Sequence, residues 1–275
     1  LNGTIVMILI TCTISSIATE RAARKIAIEE TQQDEQRQCL GTERILIPIS
    51  NPQTMPQLLD ISNLIKQRNN KTLYALKINN DPEDTSGAKL LESAAKLASA
   101  TDNKLIQIMK CDLNISNCII DTVQANKITD LIVGIHHKAN IVDTFLGGTI
   151  TALINGTSHQ NLIIYGPKRP INSVKRLVVT VPQMAELEIG FDLWFDRVKN
   201  IASQLSIPIV FYANKTTTEV LKKQCEIHSS LNVSFRELAS WEDFLIISKD
   251  IKHSDTLIVI TARKATVSYN NLFEK

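Results

Sequence analysis

From Arg44 onward the chain alternates short apolar runs with longer amphipathic stretches, and this alternation restricts its fold more than any other feature. RILIPI (44–49), TLYALKI (72–78), KLIQIMK (104–110), DLIVGI (130–135) and NLIIYG (161–166) have the length and β-branched content of buried strands. Between them, residues 55–67, 87–100, 116–126 and 146–155 space their apolar side chains as helices do. In the second of these, Leu90, Leu91, Ala94, Ala95, Leu97 and Ala98 share one broad face. Strands separated by helices cannot close as hairpins. They require right-handed crossovers and a parallel sheet covered on both faces, which is a doubly wound α/β domain.

The theme then restarts. KRLVVTV (175–181) repeats the character of the first strand, and DTLIVITARKAT (255–266) repeats DLIVGIHHKANI; with LIV laid on LIV, Lys138-Ala139 falls on Lys264-Ala265. Strands at 208–214 and 232–238 and helices at 184–205, 217–225 and 241–251 are expected between them. This is a duplicated domain rather than a short solenoid repeat. The boundary falls near GPKRPINS (166–173), where Pro and Gly interrupt both patterns. The second copy stops before a fourth helix and a fifth strand, so a fragment of a larger protein is expected.

The first residues differ in kind. LNGTIVMILITCTISSIA (1–18) carries no charge, and Glu20, Arg21, Arg24 and Lys25 follow together. A membrane span needs about 20 apolar residues, and a signal peptide places its positive charges before the apolar run. The stretch therefore reads as the last part of a transmembrane helix whose basic flank puts the rest of the chain in the cytoplasm; the other reading is a buried helix of a globular domain. The polar segment EETQQDEQRQCLGTE (29–43) reads as a linker. The expected organisation is a membrane exit over residues 1–28, a linker over 29–41, a first domain over 42–170 and a second, divergent domain over 171–275.

Composition excludes several functions. Of 275 residues, 44% are hydrophobic and 21% charged, as in a globular protein. The net charge of +2 has no sustained basic run and only 5% of residues are aromatic, so no nucleic-acid partner is expected. Five scattered cysteines form no CxxC pair and read as reduced thiols. GxSxG, GxxxxGK[ST] and HExxH are absent, and no catalytic activity is expected. His136 and His137 are neighbours whose side chains diverge in extended chain, so they chelate poorly and no metal site is expected; a pH-sensing role is the other reading. The acidic cluster Asp81, Glu83, Asp84 follows the second strand as a solvated turn. In GFDLWFDRVKNIASQL (190–205) the apolar residues exceed one face, so that helix is expected to bury surface across the domain pair or a dimer, with Trp194 as an anchor.

One stretch bears on ligands. In DLIVGIHHKANIVDTFLGGTI (130–150) a strand passes through a loop into the opening turn of a helix, where phosphates favour close backbone N–H groups. It resembles the nucleotide loop of the universal stress protein family, G-x-x-G, nine residues, then G-[ST]. Gly134 matches the first glycine, His137 stands in place of the second, Gly147 matches the third, and Gly148 replaces the Ser or Thr, with Thr149 one position later. The family's first strand closes on an Asp near the adenosine; here that position is Ser50. His137 adds bulk where glycine tolerates positive φ, so ATP binding is expected to be weakened or absent in the first domain, with ATP or AMP in an altered pose as the alternative. In the second copy Ile260 and Arg263 replace Gly134 and His137, and no site of this type is expected.

With ISSIATERAARKIA (14–27) and RILIPISNP (44–52) at the two joints, the chain resembles the cytoplasmic tail of a bacterial monovalent cation:proton antiporter. That resemblance implies tandem universal stress protein-like domains, also called adenine nucleotide alpha hydrolase-like, after an apolar N-terminal helix. It further implies attachment to the inner membrane on the cytoplasmic side, a partner in the membrane part of the same antiporter, a homodimer, and regulation of sodium or potassium for proton exchange. Rival readings are a free-standing tandem stress protein that binds ATP and the sensor domain of another membrane protein.

Overall fold

The computed structural model describes residues 43–81, 85–135, 142–166, 168–227 and 231–274. The expected membrane exit and linker lie outside them. Among the described residues no helix is long and apolar enough to cross a membrane.

Residues 43–275 form one compact unit built on two parallel sheets. The first contains β1 (Ile45–Pro48), β2 (Thr72–Asn79), β3 (Lys104–Cys111), β4 (Asp130–Gly134) and β5 (Asn161–Tyr165) in the order β3-β2-β1-β4-β5. The second contains β6 (Arg176–Thr180), β7 (Ile209–Ala213), β8 (Val233–Glu237) and β9 (Asp255–Val259) in the order β8-β7-β6-β9. Every pairing is parallel. The second order is the first without its last strand, as a duplication requires. Strand order reverses beside β1 in one sheet and beside β6 in the other, and this opens a crevice at the carboxyl ends of the strands.

The helices follow the apolar spacing in most of their length and depart from it at several ends. α1 (Met55–Ile65) starts with Pro56 in its first turn, where a missing N–H costs nothing, and buries Leu58, Leu59, Ile61 and Leu64. α2 (Ser86–Ala100) buries Leu90, Leu91, Ala94 and Ala98, whereas Leu97 of the expected face is exposed. α3 (Ile115–Ala125) is capped by Asn114, whose side chain accepts from the Asn117 N–H at 3.1 Å.

α4 (Val142–Gly156) begins four residues before the expected start at 146, so Gly147 and Gly148 lie within the helix instead of in its opening turn. The expected helix at 184–205 is shorter. Met184 is left-handed at φ 61°, Ala185–Leu187 is a 3-10 turn, and α5 (Phe191–Leu205) starts only after Gly190. The Glu186 carboxylate accepts from the Thr217 hydroxyl at 2.7 Å and Glu188 from the Ser268 N–H at 2.7 Å, which holds this segment out of helical form.

α6 (Lys215–Ile227) extends the helix expected at 217–225. The helix expected at 241–251 is reduced to a 3-10 turn, Trp241–Asp243, and a single turn, α7 (Phe244–Ile247). There the Ser248 hydroxyl donates back to the Leu245 carbonyl at 2.6 Å, and Tyr212 draws Asp250 to the sheet at 2.8 Å.

Alternation along each strand divides the core. Ile45 and Ile47 face α1 and α2, and Leu177, Val179, Ile209 and Phe211 face α5; these belong to one buried cluster that spans both sheets. On the opposite face of the first sheet, Leu46, Leu76, Leu131 and Val133 pack with Ile119 and Val123 of α3 and Leu153 of α4. On the opposite face of the second sheet, among the described residues, Val178, Val210 and Tyr212 pack with Leu238 and Ile247, with Trp241, Phe244 and Ile251 at the margin. α5 packs between the sheets, where Phe191 and Trp194 meet edge-on at 5.2 Å.

Candidate functional site

Two places carry functional geometry: the crevice of the first sheet and the seam between the two sheets. In the crevice, Ser50 follows β1 and is exposed, and Gly134 closes the adjacent β4. The two residues lie at the same end of neighbouring parallel strands. The Ile135 N–H donates to the Tyr165 carbonyl at 2.9 Å, so β5 holds the chain as it leaves β4. Burial pushes the Tyr165 phenol up to about 12, helped by the charge of Asp60.

Gly134 has a packing reason to be glycine, because a Cβ there would lie 3.1 Å from both methyl carbons of Leu58. No described glycine has positive φ. Gly148 is exposed with open space around its Cα, and Thr149 is half-buried in the same turn of α4 as Gly147. His137, like His136, lies outside the described residues. The structure thus brings Ser50 and Gly134 to one crevice and places Gly147, Gly148 and Thr149 in the helix that follows β4. Among the described residues no group of His, Cys, Asp or Glu is gathered for a metal ion.

The seam is built from residues whose role the pattern alone did not disclose. Arg197, in the middle of α5, donates through Nε and Nη2 to the two carboxylate oxygens of Asp130 at 2.8 and 2.7 Å and pairs with Glu43 through Nη1. The side chains of all three are nearly inaccessible to water. Burial acts to lower the Arg197 pKa; hydrogen bonding to Asp130 and the charges of Asp130 and Glu43 more than offset it, and the net direction is upward. Asp130 also accepts from the Thr129 hydroxyl at 2.7 Å and the Asn161 amide at 3.1 Å, so both oxygens are used. Glu43 in turn accepts from the Gln67 N–H at 3.0 Å and the Asn70 amide at 2.7 Å.

The carbonyls left over at the end of α1 are satisfied from α5. Asn200 donates to the Ile65 carbonyl at 2.8 Å and Gln204 to that of Leu64 at 3.1 Å. Arg263 does the same for α4: its guanidinium donates to the Ile154 carbonyl and, at 3.0 Å, to that of Gln160. Burial lowers its pKa, and among the described residues its bonded partners are carbonyl and hydroxyl oxygens; it sits where the helix dipole is negative. The residue that replaces His137 in the second copy therefore grips the first sheet's last helix. Arg263→Ala is expected to strand the Ile154 and Gln160 carbonyls and to lower stability by about 1–3 kcal/mol, read from urea unfolding. An unchanged midpoint would remove Arg263 from the seam's energetics.

A sequence signal existed for part of this. Asp130 is a carboxylate opening a strand that is otherwise fully apolar, and Arg197 interrupts an apolar helix face; each such charge requires a buried partner. Which charge meets which depends on the packing of α5 against α1, which local periodicity does not encode.

No family model matches the chain, and no curated protein matches it by sequence. Solved structures do match it in fold. The cytoplasmic domain of a prokaryotic cation chloride cotransporter superposes with a TM-score of 0.55 at 12% identity, covering 72% of this chain and 79% of that one. A universal stress protein from Archaeoglobus fulgidus DSM 4304 gives a TM-score of 0.54 at 13% identity, covering 82% of this chain and 87% of that one. The fold is thus the universal stress protein-like α/β fold, set out on two parallel sheets. One of the proteins that shares it is a cytoplasmic domain of a cation transporter.

Proposed function

We propose that the chain is a regulatory, ligand-sensing module of a membrane cation transporter, of the sodium or potassium for proton antiporter kind, held on the cytoplasmic side of a bacterial inner membrane. The observation that carries this reading is the fold shared with the cytoplasmic domain of a cation chloride cotransporter over most of both chains. The apolar run of residues 1–18 with its basic flank supports attachment to a membrane.

The module acts on the membrane part of the same antiporter by binding, without catalysis of its own and without nucleic acid. A module of this kind biases transport only where it contacts the transporter's states differently, or where its ligand does. The ligand class that the crevice would take is an adenine nucleotide, with ATP binding weakened because His137 stands where the family's loop has glycine, and ATP or AMP held in an altered pose at Ser50 and Gly134.

Titration of the chain with ATP, ADP and AMP under thermal unfolding tests the ligand, because a ligand bound only to the folded state raises the melting temperature. Only a small shift is expected, because His137 weakens the loop, and a shift that Gly147→Val abolishes would make the loop a working site; no shift with any of the three ends the nucleotide reading. Transport is tested separately. Removing residues 42–275 from the antiporter is expected to change the pH or nucleotide dependence of exchange, and unchanged kinetics would refute the regulatory role.

A further inference from the structure

Residues 49–54 join β1 to α1, whereas residues 181–190 join β6 to α5, and the longer connection is tied down along its course. Gln183 donates to the Ala239 carbonyl, beyond β8, at 2.6 Å. Glu186 accepts at 2.7 Å from the hydroxyl of Thr217, in the first turn of α6 after β7. Glu188 accepts from Ser268, beyond β9, twice on one oxygen: from the N–H at 2.7 Å and from the hydroxyl at 2.6 Å. Between these ties Ala185 is 1% exposed and belongs to the core. A single segment is thus fastened beyond the carboxyl end of every other strand of the second sheet, across the crevice that opens beside β6.

The duplication shows what Glu188 is bound to. With LIV laid on LIV, Ser268 corresponds to Val142, the first residue of α4. In an open parallel sheet that is the place where an anionic group meets backbone N–H groups. In the second copy the N–H and the hydroxyl at that place are both turned to a carboxylate, and Ser268 is 5% exposed. A carboxylate held by a backbone N–H and a hydroxyl is bound by the contacts that hold a phosphate oxygen. The same segment keeps Met184 left-handed at φ 61°, a conformation that a side chain disfavours, so its ties to the surrounding chain must offset that strain.

We propose that Glu188 is a built-in occupant of the second crevice, an internal anion that takes the donors a small oxyanion such as phosphate would take and latches residues 183–190 over the sheet. Ile260 and Arg263 stand where the first copy has Gly134 and His137; Glu188 accounts for how the crevice they leave is kept satisfied and shut. The second copy is then fixed in its filled state, whatever small anions surround it. The inference rests neither on the regulatory reading nor on a nucleotide in the first crevice.

Amide hydrogen exchange of the whole chain, resolved at Ser268, tests it. In the parent the Ser268 N–H is expected to be protected and indifferent to inorganic phosphate added at constant ionic strength. Glu188→Ala is expected to speed its exchange at least about tenfold, and phosphate is expected to slow it again. Reading the effect at Ser268 separates it from phosphate taken up elsewhere on the molecule. Should Glu188→Ala also deprotect β6, Glu188→Gln, which keeps an acceptor oxygen without the charge, carries the same test and is expected to give both effects at smaller size. Exchange unchanged by the loss of Glu188, phosphate without effect on the variant, or phosphate protection at Ser268 already present in the parent would overturn the proposal.

Discussion

Arg197→Ala is expected to lower unfolding stability by about 3–5 kcal/mol, the range found when one partner is removed from a buried ion pair. The loss comes from what remains. Asp130 and Glu43 would keep their charges with no cation between them, in a site where Asp130 is 0% exposed. The Thr129 and Asn161 bonds to Asp130 would persist but cannot neutralise it.

Arg197→Lys is expected to recover only part of the loss, because an ammonium cannot match both carboxylate oxygens at once as the guanidinium does. Pairing Arg197→Met with Asp130→Asn should be less harmful than Arg197→Ala alone, since it removes charge from both sides. Urea midpoints at constant slope measure all three. A loss below about 1 kcal/mol for Arg197→Ala would place the pair in water instead of in a buried seam.

Phe211→Ala is expected to cost a similar amount, about 3–5 kcal/mol, for an unrelated reason. Phe211 is in the middle of β7, fully buried, with its ring stacked on Phe195 at 6.3 Å and on Phe235 at 5.8 Å. Truncation opens a cavity between these rings, and α5 on one side and β8 on the other cannot both collapse into it. Phe211→Leu keeps most of the volume and should lose less. Phe195, on which Phe211 stacks, lies two residues from Arg197 in the same helix, so the two losses are expected to couple rather than simply add in the double variant. A cost near zero for Phe211→Ala would mean that the aromatic column is not closely packed.

The strands were legible in the sequence because buried parallel strands are continuous apolar runs, and each of the nine was anticipated within a residue or two except at the end of β9. Helix limits were less legible where the deciding force is not local. Gly147-Gly148 suggested a helix start, since glycine weakens a helix interior by about 1 kcal/mol, yet α4 runs through both. The apolar spacing from Met184 suggested a long helix, but hydrogen bonds from Thr217 and Ser268 to Glu186 and Glu188 hold that segment in a different course. At the crevice, Ser50 and Gly134 were legible through the resemblance of the loop and first strand to the universal stress protein family, and the parallel pairing of β1 and β4 puts them at the same end. The seam was not, because Arg197 and Asp130 are 67 residues apart and meet only through the packing of α5.

Asn200 and Gln204 satisfy the last carbonyls of α1, and Arg263 those at the end of α4. The second copy of the repeat therefore finishes helices that belong to the first. Neither could be transplanted alone into another protein, because the first would orphan these carbonyls and the second would bury Arg197 without Asp130 and Glu43. What began as two equivalent modules has become a unit of inheritance that can be gained or lost only whole.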